Sequence, residues 1–165
     1  MNHLKDLLTS MRPYQWSKNI LLFAGLFFSL SLFNVPLVLK AFYGFISFTF
    51  ASSSVYLFND LTDIEKDKRH PLKKNRPLAA GRISKKEAII VSLVLFLLSV
   101  AIPALLINYL FVTIIIAYII INLAYSFYFK RIVILDVFLG FLGFVLRGIA
   151  GIVDIDVHIS KWTII

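Results

Sequence analysis

The sequence predicts an all-α fold: a polytopic membrane helical bundle of five spans plus the start of a sixth. Three observations predict it. First, 59% of the 165 residues are hydrophobic and mean hydropathy is +0.86, above the range of ordinary soluble domains. Second, apolar runs approaching the roughly 20 residues that a bilayer span requires recur along the chain. Third, the breaks between runs carry helix breakers or charge: Asn34 and Pro36, Asn108, then Lys130 and Arg131. One domain over residues 1–165 is expected, with no room for a separate soluble unit. The absence of cysteine removes disulfides, thiolate catalysis and thiolate metal sites.

Residues 1–18 read as an interfacial amphipathic segment, with Leu4, Leu7, Leu8 and Met11 on one face and Trp16 at headgroup level. Spans are expected at Asn19–Phe33, Leu37–Phe58, Ala88–Ile107, Tyr109–Phe129 and Ile132–Val153, with a sixth opening at Trp162. Pro103 lies inside the third. The final KWTII is too short to cross a bilayer, so the chain reads as truncated. No cleavable leader is expected, because the first apolar run begins after Lys18 and lacks a small-residue cleavage site.

Charge fixes an expected orientation. Of 17 Lys and Arg residues, nine lie between Lys66 and Lys86. Lys5, Arg12, Lys18, Lys130 and Arg131 fall on the same side, against Lys40 and Lys161 on the other. The positive-inside rule therefore places the N terminus and the 59–86 loop in the cytoplasm, in a multi-pass inner (cytoplasmic) membrane protein. A net charge of +8 would suggest nucleic acid in a soluble protein. Concentrated in one membrane-flanking loop, it points instead to an anionic headgroup or phosphorylated substrate, and no nucleic acid is expected.

The stretch NDLTDIEKDKRHPLKKNRPLAAGR, Asn59 to Arg82, holds four acidic and seven basic side chains in 24 residues. Asp60, Asp63 and Asp67 stand at i, i+3 and i+7, which places them within about one 60° sector of a helix. Carboxylates so placed repel unless a cation joins them. With Asn59 beside them, they suit Mg²⁺, which takes oxygen ligands and completes its shell with substrate phosphate. Such a metal neutralises charge developing on departing pyrophosphate. Lys68, Arg69, Lys73, Lys74, Arg76 and Arg82 supply donors for phosphate oxygens. The plain alternative is a solvated loop, rich in lysine for topology; it leaves the one-sided aspartates unexplained. His70 reads as a loop histidine.

These residues carry a resemblance. Asn59, Asp60, Asp63 and Asp67 match the NDxxDxxxD signature, and RPLAAGRIS from Arg76 to Ser84 resembles the RPLAxG segment, of the UbiA superfamily of intramembrane prenyltransferases. Within it, RPYQWSKN from Arg12, HPLKKNRP from His70, NLAYSFYFKR from Asn122 and FVLRGIAG from Phe144 look like the decaprenyl-phosphate phosphoribosyltransferase branch. The resemblance implies a helical membrane enzyme whose cavity opens to the cytoplasm. Its activity would be Mg²⁺-dependent transfer of 5-phosphoribose from phosphoribosyl pyrophosphate to a polyprenyl phosphate. Asp60, Asp63 and Asp67 would be the catalytic metal-binding aspartates, with Asn59 assisting. Lys18, Arg76 and Lys73 would contact phosphate, and Lys130 borders the cavity as a further substrate contact. Family members carry a second aspartate-rich motif after the sixth span, beyond Ile165. The rival readings are an aromatic prenyltransferase of quinone biosynthesis using a prenyl diphosphate, and an inactive fragment or half of a split enzyme. In the last case a partner chain would supply the missing motif.

Asp154, Asp156 and His158 are expected in an external loop, away from the aspartates. Arg147 lies deep within a span, where a charge costs at least about 2.5 kcal/mol and so faces a cavity or a partner. It would contact a phosphate or headgroup, or else lock two helices together, and the lock is the favoured reading. Asp136 is about 16 Å along the same helix, too far for a direct pair. Gly140, Gly143, Gly148 and Gly151 suit close helix packing. Phe42, Phe45, Phe48 and Phe50 read as lipid-facing.

Overall fold

In the computed structural model the described residues are 3–129 and 133–154, without the side chains of 128–129, 133–137 and 139. Every regular element among them is helical: α1 (His3–Met11), a 3₁₀ segment (Pro13–Phe23), α2 (Ala24–Phe28), α3 (Val35–Thr62), α4 (Ile64–Arg69), a 3₁₀ turn (Lys73–Asn75), α5 (Lys85–Leu106), α6 (Tyr109–Ala124) with a π-helical turn (Tyr125–Phe129), and α7 (Val133–Asp154).

Among the described residues, three stretches are long and apolar enough to cross a membrane: Val35–Thr62, Lys85–Leu106 and Tyr109–Phe127. Their ends follow local chemistry. Asn34 caps α3 by accepting from the Leu37 amide, with Pro36 in the first turn. Ser84 and Glu87 form a reciprocal capping box at the start of α5. Asn108 caps α6 by accepting from the Phe111 amide at 2.8 Å, and its amide reaches the Val153 carbonyl at 3.2 Å. Ser54 and Ser92 staple α3 to α5, each hydroxyl donating to the other's backbone carbonyl at 2.8 and 3.0 Å.

The expected first span departs from regular helix. Residues Pro13–Phe23 wind as a 3₁₀ helix, α2 adds five residues, and Leu30 then turns the chain with a φ of 56°. At three residues per turn, side chains three apart eclipse. Trp16, Asn19 and Leu22 therefore all face the bundle: Trp16 Nε1 donates to Ser53 Oγ at 3.1 Å, Asn19 Nδ2 donates to Thr49 Oγ1 at 3.1 Å, and Leu22 is fully buried. An α-helix would rotate these positions apart by about 60° at each step. Trp16 thus turns its indole toward α3.

α1 shows the same inward pull. Leu7 and Met11 pack beside the cluster of Leu57, Ile64, Leu78 and Ile83, whereas Leu4 and Leu8 are exposed. A second core, built on Leu22, Phe48, Phe111, Ile115 and Tyr118, joins α3, α6 and α7. Phe48 is fully buried at its centre, edge-on to both Phe111 and Tyr118, so its expected lipid-facing position is wrong; Phe42 does stay exposed.

Among the α7 glycines the tightest contact falls at Gly151. A Cβ there would be driven into the backbone of Leu22, while Gly140 faces open space. Gly151→Ala is expected to lower bundle stability by about 1–3 kcal/mol, measured by denaturant unfolding in detergent. An unchanged midpoint would show that α7 does not need this close approach. Asp154 ends α7 and is fully buried, with neither carboxylate oxygen hydrogen-bonded. It is therefore not the loop residue the sequence suggested; Asp156, His158 and Trp162 lie outside the described residues.

Candidate functional site

The polar face of α3 builds the site. Thr49, Ser53, Tyr56 and Asp60 fall three or four residues apart, the spacing that keeps one helical face. The N-terminal segment runs antiparallel along this stripe: Asn19 meets Thr49, Trp16 meets Ser53, and Arg12 meets Tyr56 and Asp60. Ser53 Oγ also donates to the Met11 carbonyl at 3.2 Å. The segment is thus fixed to the helix that carries the aspartates.

α3 stops at Thr62 and α4 starts at Ile64, with Asp63 between them at φ −100° and ψ 4°. The backbone nevertheless bonds across the junction, from Asp63 N to Asn59 O at 3.1 Å and from Asp67 N to Asp63 O at 2.8 Å. Helical backbone bonding therefore continues past Asp63, and Asp60 and Asp67 both reach Arg76.

The sequence places the aspartates on one face; the structure shows what neutralises them. Asp60 is 3% exposed and Asp67 also 3%. Arg12 Nη2 lies 2.6 Å from Asp60 Oδ1, and Arg76 Nη1 lies 3.2 Å from that same oxygen. Arg76 Nη1 also reaches Asp67 Oδ2 at 2.7 Å, so one guanidinium bridges two carboxylates. Asp63 Oδ1 has Lys66 Nζ at 3.6 Å. Charge-assisted contacts as short as those to Asp60 and Asp67 are the strong class of hydrogen bond. Among the described residues no three acidic or imidazole groups are gathered closely enough to hold a metal ion together.

A polar cleft of about 280 Å³ opens beside the cluster, between α1 and the 72–77 segment. Thr9, Ser10, Arg12, Tyr14, Asn75 and Arg76 line it, with Asp60 in its wall. Both guanidinium contacts on Asp60 fall on Oδ1. One position earlier in the chain, Asn59 Oδ1 is buried and has no hydrogen-bond partner among the described residues. An all-oxygen donor set with an unsatisfied carbonyl oxygen fits a hard cation of the magnesium class.

The other predicted residues separate. Lys73 is exposed, and His70 Nδ1 accepts from the backbone amides of Leu72 and Lys73, which makes it the turn-forming histidine expected. Lys18 is exposed, its ammonium 5.7 Å from the centre of the Phe144 ring. Arg82 does not join the aspartates: its Nε donates to Asp6 at 2.9 Å and its Nη2 to the Asn75 carbonyl, tying α1 to the loop. Lys68 pairs with Glu65 on the exposed side and, as the main cause, holds that carboxyl below its usual range. Lys130 and the side chain of Asp136 lie outside the described residues.

Arg147 is 4% exposed and bound to the protein on three sides: Nε to Asn19 Oδ1 at 2.7 Å, Nη1 to the Gly143 carbonyl at 2.7 Å, and Nη2 to the Tyr118 hydroxyl at 3.0 Å. Its guanidinium also lies 4.9 Å from the centre of the Tyr118 ring. These contacts join α7, the 3₁₀ segment and α6, which is the locking role.

Arg12 is the residue that sequence reading passed over. A lone arginine 48 positions before Asp60 gives no spacing signal; only the antiparallel docking of the N-terminal segment reveals it.

The chain is similar to known proteins in sequence and fold. A family model described as the UbiA prenyltransferase family matches residues 19–165. A decaprenyl-phosphate phosphoribosyltransferase of Mycolicibacterium smegmatis is 34% identical over 165 residues, covering 98% of this chain and 52% of its own length. An uncharacterized protein of Sinorhizobium fredii, y4nM, is 38% identical over 159 residues, covering 96% of this chain and 31% of its own. The structure of a UbiA homolog from Archaeoglobus fulgidus bound to GPP and Mg²⁺ superposes with a TM-score of 0.74 at 25% identity, over 94% of this chain and 56% of that one. The chain therefore spans about a third to a half of the relatives it matches.

Proposed function

Because the chain belongs to the UbiA prenyltransferase family, we propose that it serves a membrane transferase moving 5-phosphoribose from phosphoribosyl pyrophosphate to a polyprenyl phosphate. The observation that carries the proposal is the pair of buried aspartates, Asp60 and Asp67, bridged by Arg76 at the wall of a polar cleft. Similarity to decaprenyl-phosphate phosphoribosyltransferases supports the choice of donor and acceptor.

In this reading an oxygen of the lipid phosphate forms a bond to C1 of the ribose. The bond from C1 to the pyrophosphate oxygen breaks, and pyrophosphate leaves with the electron pair. Asp60, Asp63 and Asp67, with Asn59, would hold Mg²⁺ only together with phosphate oxygens of the donor, because the three carboxylates are not gathered closely enough to hold it alone; when bound it offsets the charge gathering on the leaving group. Arg76 keeps the two buried carboxylates together and, at the cleft wall, presents guanidinium to the diphosphate. Lys18 and Lys73, both exposed, and Lys130 are the further phosphate contacts. Arg147 we place with the packing. The 59–86 loop and the N terminus would face the cytoplasm from an inner membrane, with α7 as a further span.

The test is to incubate membranes containing the protein with labelled phosphoribosyl pyrophosphate and polyprenyl phosphate. Labelled lipid and released pyrophosphate are expected, both lost on chelation of Mg²⁺. A second reading is prenyl transfer to an aromatic ring; the A. fulgidus homolog bound to GPP and Mg²⁺ supports its prenyl diphosphate donor only. Aromatic prenylation without labelled lipid would select it.

A further inference from the structure

Arg12 has a cost and a geometry that a surface arginine does not. Its backbone is left-handed, at φ 56° and ψ 64°. For a residue with a Cβ this conformation costs roughly 1–2 kcal/mol, and strain of this kind persists where the surroundings fix it. Those surroundings are visible. Pro13 follows directly, the Met11 carbonyl accepts from Ser53, and the guanidinium lies 4.7 Å from the centre of the Tyr56 ring. So held, Nη2 reaches Asp60 Oδ1 at 2.6 Å, the shortest of the contacts on that carboxylate. Arg76 uses the same oxygen. Two arginines on one oxygen set the plane of the carboxylate and leave Oδ2 outside both contacts.

We propose that Arg12 is a positioning residue: it fixes the rotation of the Asp60 carboxylate so that Oδ2 is presented to the divalent cation of the donor diphosphate. This inference rests on the proposed reading of Asp60 as a metal ligand. Tyr56 and Ser53 belong to the same device, because they hold the guanidinium and the strained turn in place. Arg12 itself touches neither cation nor substrate in this role. Groups that orient a metal ligand in this way typically change metal affinity by about 10–100-fold when removed.

The test measures Mn²⁺ binding by EPR in the presence of inorganic pyrophosphate, with the protein in lipid nanodiscs and thermal midpoints recorded alongside. Arg12→Asn keeps a residue that tolerates the left-handed turn and removes the guanidinium. It is expected to weaken Mn²⁺ binding at least tenfold. Arg12→Lys replaces the rigid fork with a single flexible ammonium and is expected to fall between. Wild-type Mn²⁺ affinity in either variant overturns the proposal, including the case in which the midpoint drops while the folded fraction binds normally. Asp60→Asn, run in parallel, separates the two levels. If it loses Mn²⁺ while the Arg12 variants keep it, only the positioning role fails. If it too binds like wild type, the metal reading fails and takes the positioning role with it.

Discussion

Asp60→Asn is expected to reduce phosphoribosyl transfer by about 10³-fold, because an effect of several kcal/mol on the transition state is lost at about 1.4 kcal/mol per factor of ten. Two losses combine. The carboxylate that would share the cation disappears, and Arg12 and Arg76 lose the buried anion to which both donate. The second loss also costs stability, since a charged group left without its partner in a buried site is penalised by about 3–5 kcal/mol. Labelled-lipid formation and unfolding midpoints, measured on the same preparations, should both fall in Asp60→Asn. An Asp60→Asn protein retaining a third or more of wild-type transfer would return the aspartates to an ordinary charged loop held by arginines.

What the sequence made legible was whatever depends on neighbours within one or two turns. The caps at Asn34 and Asn108 sit where the sequence places breaks between apolar runs. The approach of Asp60 to Asp67 follows from helical spacing, because the backbone bonds continue across the break at Asp63 and Arg76 reaches both carboxylates. The illegible parts depend on what packs from far away. The apolar run after Lys18 has ordinary helical composition, and its 3₁₀ winding is understandable only once Ser53, Thr49 and the core around Phe48 are seen to engage Trp16, Asn19 and Leu22 together. The phenylalanines of α3 carry no label for core or lipid either: Phe48 is buried because α6 brings Phe111 and Tyr118 over it. The bridging of Asp60 and Asp67 by Arg76 required the 70–77 loop to fold back on α4. Sequence counted the loop's positive charges but could not say which of them would reach the carboxylates.

Arg147→Met is the second large effect, and here the argument concerns stability. Burying the guanidinium costs about 2.5–3.5 kcal/mol on membrane-insertion scales. Three hydrogen bonds to a charged donor return about 1.5–3 kcal/mol each, enough to offset that cost with a surplus. Its acceptors are neutral: the Asn19 side chain, the Gly143 carbonyl and the Tyr118 hydroxyl. Among the described residues no carboxylate forms a salt bridge with it. Methionine fills part of the volume but leaves the buried Asn19 oxygen without its donor, at about 1–3 kcal/mol for each group so stranded. A net loss of about 2–4 kcal/mol is expected in detergent unfolding. Wild-type stability in this variant would show that the surplus is not realised, as happens for some buried charged groups replaced by apolar ones. The consequence reaches the site. Asn19 and Arg12 lie on one segment docked antiparallel to α3, so loosening its Arg147 anchor should also release Arg12 from Asp60. A metal-binding defect in Arg147→Met, on a protein with no altered residue near the aspartates, is the expected signature of that connection.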